Sequence, residues 1–177
     1  LAEKGPRKVW EIEKGRGYAC PAIAEDRLVL FHRVDDAETV DCLDPETGRR
    51  HWTHADPVTY RDRYGYSDGP RAGAVIDSGR VYTFGVTARL TCLELATGKV
   101  LWQRDCAKED GVPQYFFGSG ASPLVQGDVL VCDLGGTGGK DVVGFDKVTG
   151  KVRWTAKTGW SQSYASPVPA TFAGKKR

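Results

Sequence analysis

The chain contains no methionine, only three histidines, and no two cysteines that are adjacent or spaced Cys-x-x-Cys. It has no apolar run near the ~18 residues that a membrane-spanning helix needs, so no span is expected in this segment. Lys and Arg total 25 against 23 Asp and Glu, a net charge of +2, which leaves no basic field for nucleic acid. Five cysteines are an odd number and make no closed disulfide framework, and the spacings of zinc and thioredoxin-like sites are missing. His51 and His54 sit in a strand-like stretch whose alternation sends them to opposite faces, so they form no metal pair. No Ser-His-Asp or Cys-His grouping is visible.

What the chain does have is a repeated phrase. Asp44-Pro45-Glu46-Thr47-Gly48 leads to Trp52, Glu94-Leu95-Ala96-Thr97-Gly98 to Trp102, and Asp146-Lys147-Val148-Thr149-Gly150 to Trp154. Lys8-Val9-Trp10 reads as the tail of an earlier copy. A period of about 50 residues is the mark of a repeat architecture. Each repeat opens on small residues (Tyr18 to Ala22, Pro70 to Ala74, Gly120 to Leu124), passes a tight turn, and continues into an apolar β run. A third strand follows, then the Thr-Gly turn, then a short strand that closes on Trp. Four short strands per period, here named a to d, predict an all-β chain of four-stranded antiparallel β-propeller blades.

The expected domain is a single partial propeller over residues 1–177, about three and a half blades, with blades near 18–52, 69–102 and 120–154. Residues 1–10 are expected to end one blade and 164–177 to start another. With no methionine present, the expectation is a part of a ring of about eight blades, or a half that pairs with missing blades or a second copy. Gly48, Gly98 and Gly150 are expected to supply the positive φ of a tight hairpin. Asp44 and Asp146 should cap the turn through their carboxylates, and Glu94 should cap it less well. Trp52, Trp102 and Trp154 are expected to wedge each blade against the next.

The Asp-x-x-Thr-Gly phrase closing on Trp resembles the repeat of the pyrroloquinoline-quinone-like propellers. Tyr64-Gly65-Tyr66-Ser67-Asp68-Gly69-Pro70-Arg71 and Tyr164-Ala165-Ser166-Pro167-Val168 are similar to BamB-like envelope repeat proteins. The resemblance implies a bacterial periplasmic or cell-envelope location. It admits two functions, because the superfamily houses both non-catalytic scaffolds and quinoprotein dehydrogenases.

Long, individual loops on a repetitive scaffold are where function usually sits, and here these are the connections between blades. Nine of the 18 aromatic residues lie on or beside them: Tyr18, Tyr60, Tyr64, Tyr66, Tyr115, Phe116, Phe117, Trp160 and Tyr164. The candidate recognition face is Tyr64, Arg71, Tyr115, Phe117 and Trp160, residue types that anchor interfaces. Arg71 opens an innermost strand and is expected to face the central channel. The run Gly135 to Lys140 lacks the spacing and the helix of a phosphate loop and is expected to be a flexible hairpin loop. Asp35, Asp36 and Glu38 are expected to form a solvated acidic loop tip, with a calcium site the weaker alternative. Cys42 and Cys92 are expected to be small buried residues, Cys20 and Cys132 to lie in strands, and Cys106 to be exposed in a loop.

The function expected first is a non-catalytic scaffold for a protein or peptide partner, with no cofactor and no catalytic residue. The alternative implied by the resemblance is a fragment of a quinone-dependent alcohol or sugar dehydrogenase with bound calcium. Its adjacent cysteines and catalytic Asp cannot be placed in this sequence.

Overall fold

The computed structural model describes residues 5–176. Three four-stranded antiparallel sheets follow one another along the chain. The first holds β1 (Ala22–Ala24), β2 (Arg27–Val34), β3 (Ala37–Leu43) and β4 (Arg50–Pro57). The second holds β5 (Val75–Asp77), β6 (Arg80–Phe84), β7 (Arg89–Glu94) and β8 (Val100–Asp105). A helical turn, α1 (Cys106–Glu109), precedes the third sheet of β9 (Leu124–Gln126), β10 (Val129–Asp133), β11 (Val142–Asp146) and β12 (Val152–Ala156). A hairpin of β13 (Thr171–Phe172) and β14 (Lys175–Lys176) closes the described chain. Strand β5 lies against β1 on one side and β9 on the other, so the sheets stack as neighbouring blades of a β-propeller. Among the described residues no helix is long and apolar enough to cross a membrane.

The a-to-b turns carry positive φ at Glu25 and Asp26, at Ser78 and Gly79, and at Gly127. The fourth strands run past their Trp rather than ending on it: Trp52, Trp102 and Trp154 are each the third residue of theirs. A bulge recurs at one place in every blade, between Cys42 and Leu43, Cys92 and Leu93, and Gly144 and Phe145. The residue facing each Trp across strands c and d is therefore Cys42, Cys92 or Gly144, small in all three.

Two cores fill the gaps between blades. Val29, Phe31, Val40 and Cys42 meet Val81 and Leu93 between the first and second sheets. Tyr82, Phe84, Leu90 and Cys92 meet Leu130, Cys132, Val143 and Phe145 between the second and third. Cys106 belongs to this second core and is fully buried, contrary to the expected exposed loop, because α1 tucks it under β7 and β8. Cys20 is exposed and precedes β1 instead of lying in a strand.

At the rim of each gap one contact repeats. Trp10 lies over Gly48, Trp52 over Gly98 and Trp102 over Gly150, and each indole N–H donates to a carbonyl of the same turn: Pro45 at 3.0 Å, Leu95 at 2.8 Å and Lys147 at 3.2 Å. Trp10 therefore occupies the same place as the other two, although residues 5–10 form no strand and residues 1–4 of the expected blade end lie outside the described residues. Trp154 has no such turn beneath it among the described residues and is 41% exposed. In the turns, Asp44 accepts from the N–H groups of Glu46 and Thr47 at 3.0 and 2.8 Å, and Asp146 from Val148 and Thr149 at 3.0 and 2.8 Å. Glu94 is one methylene longer and takes the Thr97 hydroxyl instead.

The turn glycines answer two demands at once. Gly98 has φ +75°, and a Cβ there would lie 2.5 Å from the Trp52 ring; Gly79 has φ +71° and open space around it. Gly98→Ala is expected to cost about 2–3 kcal/mol and Gly79→Ala about 1 kcal/mol, the difference being the displaced indole. Equal melting temperatures for the two variants would show that the ring contact contributes nothing.

Candidate recognition face

The connection from β4 to β5 is built around two carboxylates and one buried guanidinium. Asp62 accepts from the N–H groups of Tyr64 at 2.9 Å and Ser67 at 3.1 Å, and from Arg71 Nη2 at 3.1 Å. Those donors, the Tyr64 N–H first, hold its carboxyl below the usual range. Asp68 accepts from Asp62 N–H at 2.6 Å and from Arg16 at 2.9 Å. Arg33, in β2, is fully buried and donates to the carbonyls of Asp35 (3.1 Å), Val58 (3.1 Å), Tyr60 (2.8 Å) and Asp68 (3.2 Å), and to Asp36 Oδ1 (3.1 Å).

On this frame the exposed rings assemble. Tyr64 lies 4.7 Å from Phe116, Phe116 packs edge-on against Phe117 at 4.6 Å, and Phe117 meets Tyr66 at 6.2 Å and Tyr164 at 5.9 Å. The Arg71 guanidinium stands between the Phe117 ring (5.3 Å) and the Tyr18 ring (5.6 Å), and Arg63 lies 5.9 Å from the Phe116 ring. Tyr18, Tyr64, Tyr66, Phe116 and Tyr164 remain exposed, so segments preceding all three blades, and the one after the third, share one aromatic patch with interleaved arginines.

Of the five residues singled out in the sequence, three come together here: Tyr64, Arg71 and Phe117. Arg71 is held by Asp62 and the Ser67 carbonyl, with its side chain only 13% exposed, so it braces the rings rather than extending as a free arm into a channel. Tyr115 turns inward, donates to the Gly135 carbonyl at 2.8 Å and accepts from the Gln162 N–H at 3.2 Å. Trp160 stands apart, 81% exposed, and pairs with no other ring among the described residues.

Three local expectations change. The acidic tip is a two-residue turn at Asp35 and Asp36, because β2 and β3 extend to Val34 and Ala37. Asp36 pairs with Arg33 and with Arg61 at 2.8 Å, while Glu38 is buried between the first two blades instead of solvated. The run Gly135 to Lys140 is pinned rather than free: Thr137 N–H donates to the Asp110 carbonyl at 3.2 Å, and Lys140 Nζ to Asp110 Oδ1 at 2.9 Å and the Glu109 carbonyl at 2.8 Å.

Glu38 accepts the Val86 N–H at 2.9 Å and lies in a seam with His54, Asp56, Arg89 and Thr91. Burial pushes its carboxyl up to about 7 from an ordinary 4.5. Between those values the folded protein keeps a proton that the unfolded chain has released, so this group's contribution to stability is complete below pH 4.5 and falls as pH rises through 7. Glu38→Gln is expected to flatten that decline in melts run from pH 5 to 8; an unchanged slope would assign the decline to other groups.

The sequence profile described as "Outer membrane protein assembly factor BamB" matches residues 36–176. The chain is 27% identical over 137 residues to the 1-butanol dehydrogenase (cytochrome c) of Thauera butanivorans, covering 75% of this chain and 18% of that protein. It is 31% identical over 136 residues to the dehydrogenase subunit of the quinone alcohol dehydrogenase of Gluconobacter oxydans, covering 71% and 17%. Its fold is similar to that of BamB from Moraxella catarrhalis (TM-score 0.51, 19% identity, covering 81% of this chain and 36% of that one). It is also similar to quinohemoprotein alcohol dehydrogenase from Comamonas testosteroni (TM-score 0.59, 24% identity, 80% and 21%). The chain thus spans about a fifth of the length of the curated relatives it matches.

Proposed function

Because the chain belongs to the repeat family described as outer membrane protein assembly factor BamB, we propose that it is a non-catalytic scaffold of the bacterial cell envelope. Its aromatic loop face takes a protein or peptide partner. The observation that carries this assignment is the patch itself. Five exposed rings share the patch: Tyr64 and Tyr66 ride on the loop framed by Asp62, Asp68 and Arg33, the Tyr18 hydroxyl donates to the Tyr66 carbonyl at 3.3 Å, and the Tyr164 hydroxyl accepts from the Phe117 N–H at 3.0 Å, so little freedom is lost when a partner covers them. The opposite, Thr-Gly face carries short repeated turns and no comparable ring cluster among the described residues. A photo-crosslinking residue in place of the exposed Tyr66 should trap a partner that one at Lys151 does not. The trapped band should disappear when Tyr64→Ala and Phe116→Ala are added. Equal crosslinking from both faces, or a band indifferent to the ring deletions, would reject the loop face as the binding surface.

A quinone-dependent dehydrogenase is the second assignment, favoured by the names of the curated relatives. These blades do not fit the calcium and quinone that it needs. Among the described residues no group of three His, Cys, Asp or Glu side chains is placed to hold a metal ion, and Asp62 and Asp68 of the loop face are taken by arginines and backbone N–H groups. Dye-linked alcohol oxidation by the whole protein supplied with quinone and calcium would reverse the order of the two assignments.

A further inference from the structure

A groove of about 490 Å³ lies on the loop face between the connector that enters the second blade and the one that leaves it. Thr59, Arg61 and Arg63 line it from the first connector, Gln114 and Phe116 from the second, and Thr87 from the turn between β6 and β7. The second blade has a described neighbour on each side, so the groove does not border an open edge of the sheets. Its walls are anchored to that blade and to each other. Val58 and Tyr60 are buried with Val86, the Tyr60 hydroxyl donates to the Phe116 carbonyl at 3.3 Å, and Gln114 Nε2 donates to the Val86 carbonyl at 3.4 Å. Every charged side chain that lines the groove is a guanidinium. Arg61 already pairs with Asp36 at 2.8 Å and Asp68 at 3.5 Å. Arg63 is exposed over the Phe116 ring at 5.9 Å and makes no ion pair among the described residues.

We propose, building on the loop-face assignment, that this groove seats a carboxylate of the partner, whose contact segment is an acidic peptide with an aromatic residue beside the acid. A guanidinium over a ring keeps its N–H edge for a planar acceptor with two oxygens, which a carboxylate supplies. The carboxylate lies on Arg63 and the partner's ring lies against Phe116. Phe116 is also 4.7 Å from Tyr64, so the groove is continuous with the aromatic patch. A polyanion fits less well. Asp35 and Asp36 flank Arg61, the Asp36 side chain being 73% exposed, and they repel the further charges of a nucleic acid strand or an anionic bilayer. The net charge of +2 gives such a partner no attracting field.

The test is fluorescence anisotropy of the full-length protein with a labelled, end-blocked decapeptide of Glu and Ser around a central Phe. Its Gln counterpart, inorganic phosphate and phosphatidylglycerol vesicles are the comparison probes. The expected result is saturable binding of the Glu peptide, about tenfold or more tighter than that of the Gln peptide. Arg63→Gln should weaken it about tenfold and Arg63→Lys about threefold. Lys151→Gln, the same loss of charge on the Thr-Gly face, should leave it unchanged. The melting temperature of Arg63→Gln should match the parent protein, since the side chain is exposed. No binding of the Glu peptide up to about 5 mM, equal binding of the Gln peptide, or binding that survives Arg63→Gln would each overturn the proposal. Arg63-dependent binding of phosphate or of vesicles alone would overturn it too. A partner trapped in full at Tyr66 of Arg63→Gln would overturn the acidic contact and leave the loop face in place. Equal trapping at Tyr66 and Lys151 in the parent protein would reject the loop face itself, and this occupant with it.

Discussion

Trp102→Ala is expected to remove about 3–5 kcal/mol of stability and to lower Tm by roughly 10 °C. Trp102 is half-buried between the second and third blades, 6.1 Å from Tyr82 in ring centroids, over Gly150, and bonded to the Lys147 carbonyl. Deleting it opens a void along the core that also holds Leu130 and Phe145 and removes one of the two donors to the Lys147 carbonyl, the Tyr82 hydroxyl at 3.1 Å being the other. In the 177-residue segment Trp154→Ala provides the internal comparison: the same residue at the same strand position, 41% exposed and with no turn over it among the described residues, is expected to cost about 1 kcal/mol there. If the two variants melt together, blade docking does not depend on the ring over the glycine.

Arg33→Met is expected to cost about 3 kcal/mol or more, because several carbonyls that the guanidinium now serves lose their donor in a site closed to water. Its effect should be uneven. Loop 58–68 hangs on those carbonyls, whereas β2 is held by its neighbours on both sides, so the loop should open before the sheet does. Trypsin should then cut after Arg61 and Arg63 well below the global melting temperature. Partner binding through Tyr64 should weaken even though no ring has been altered. Cleavage as slow as in the parent protein would mean that the loop holds its shape without Arg33.

The blades are legible in the sequence because their determinants are local. A Thr-Gly turn, an alternating strand and a Trp at a fixed interval lie within a few residues of one another, and the strand ladders, with their repeated bulge, follow from them. The aromatic patch is half legible: residue type and loop placement single out Tyr64, Arg71 and Phe117, but the same criteria choose Tyr115, which turns inward to Gly135, and Trp160, which lies elsewhere. Arg33 and Glu38 carry meaning that no short window contains. Their partners are the carbonyls of loop 58–68 and the N–H of Val86 on the next blade. One local signal does exist for Arg33, which continues the alternation of Val29 and Phe31 on the side of β2 that meets the second blade, in a strand buried on both faces. Cys106 looks like a loop residue for the same reason in reverse, since only the packing of α1 buries it.

The contact from each Trp to the following turn glycine has a direction. Every blade offers a ring at one side and a socket at the other, so the joint is heterologous, like a plug and a receptacle in series. A coding segment of about 50 residues that is copied in tandem therefore arrives already fitted to its parent. Its socket takes the parent's ring, and its own ring waits for whatever comes next. Such a unit can be added or lost without redesigning a seam, which lets the connecting loops diverge in sequence while the joints stay the same.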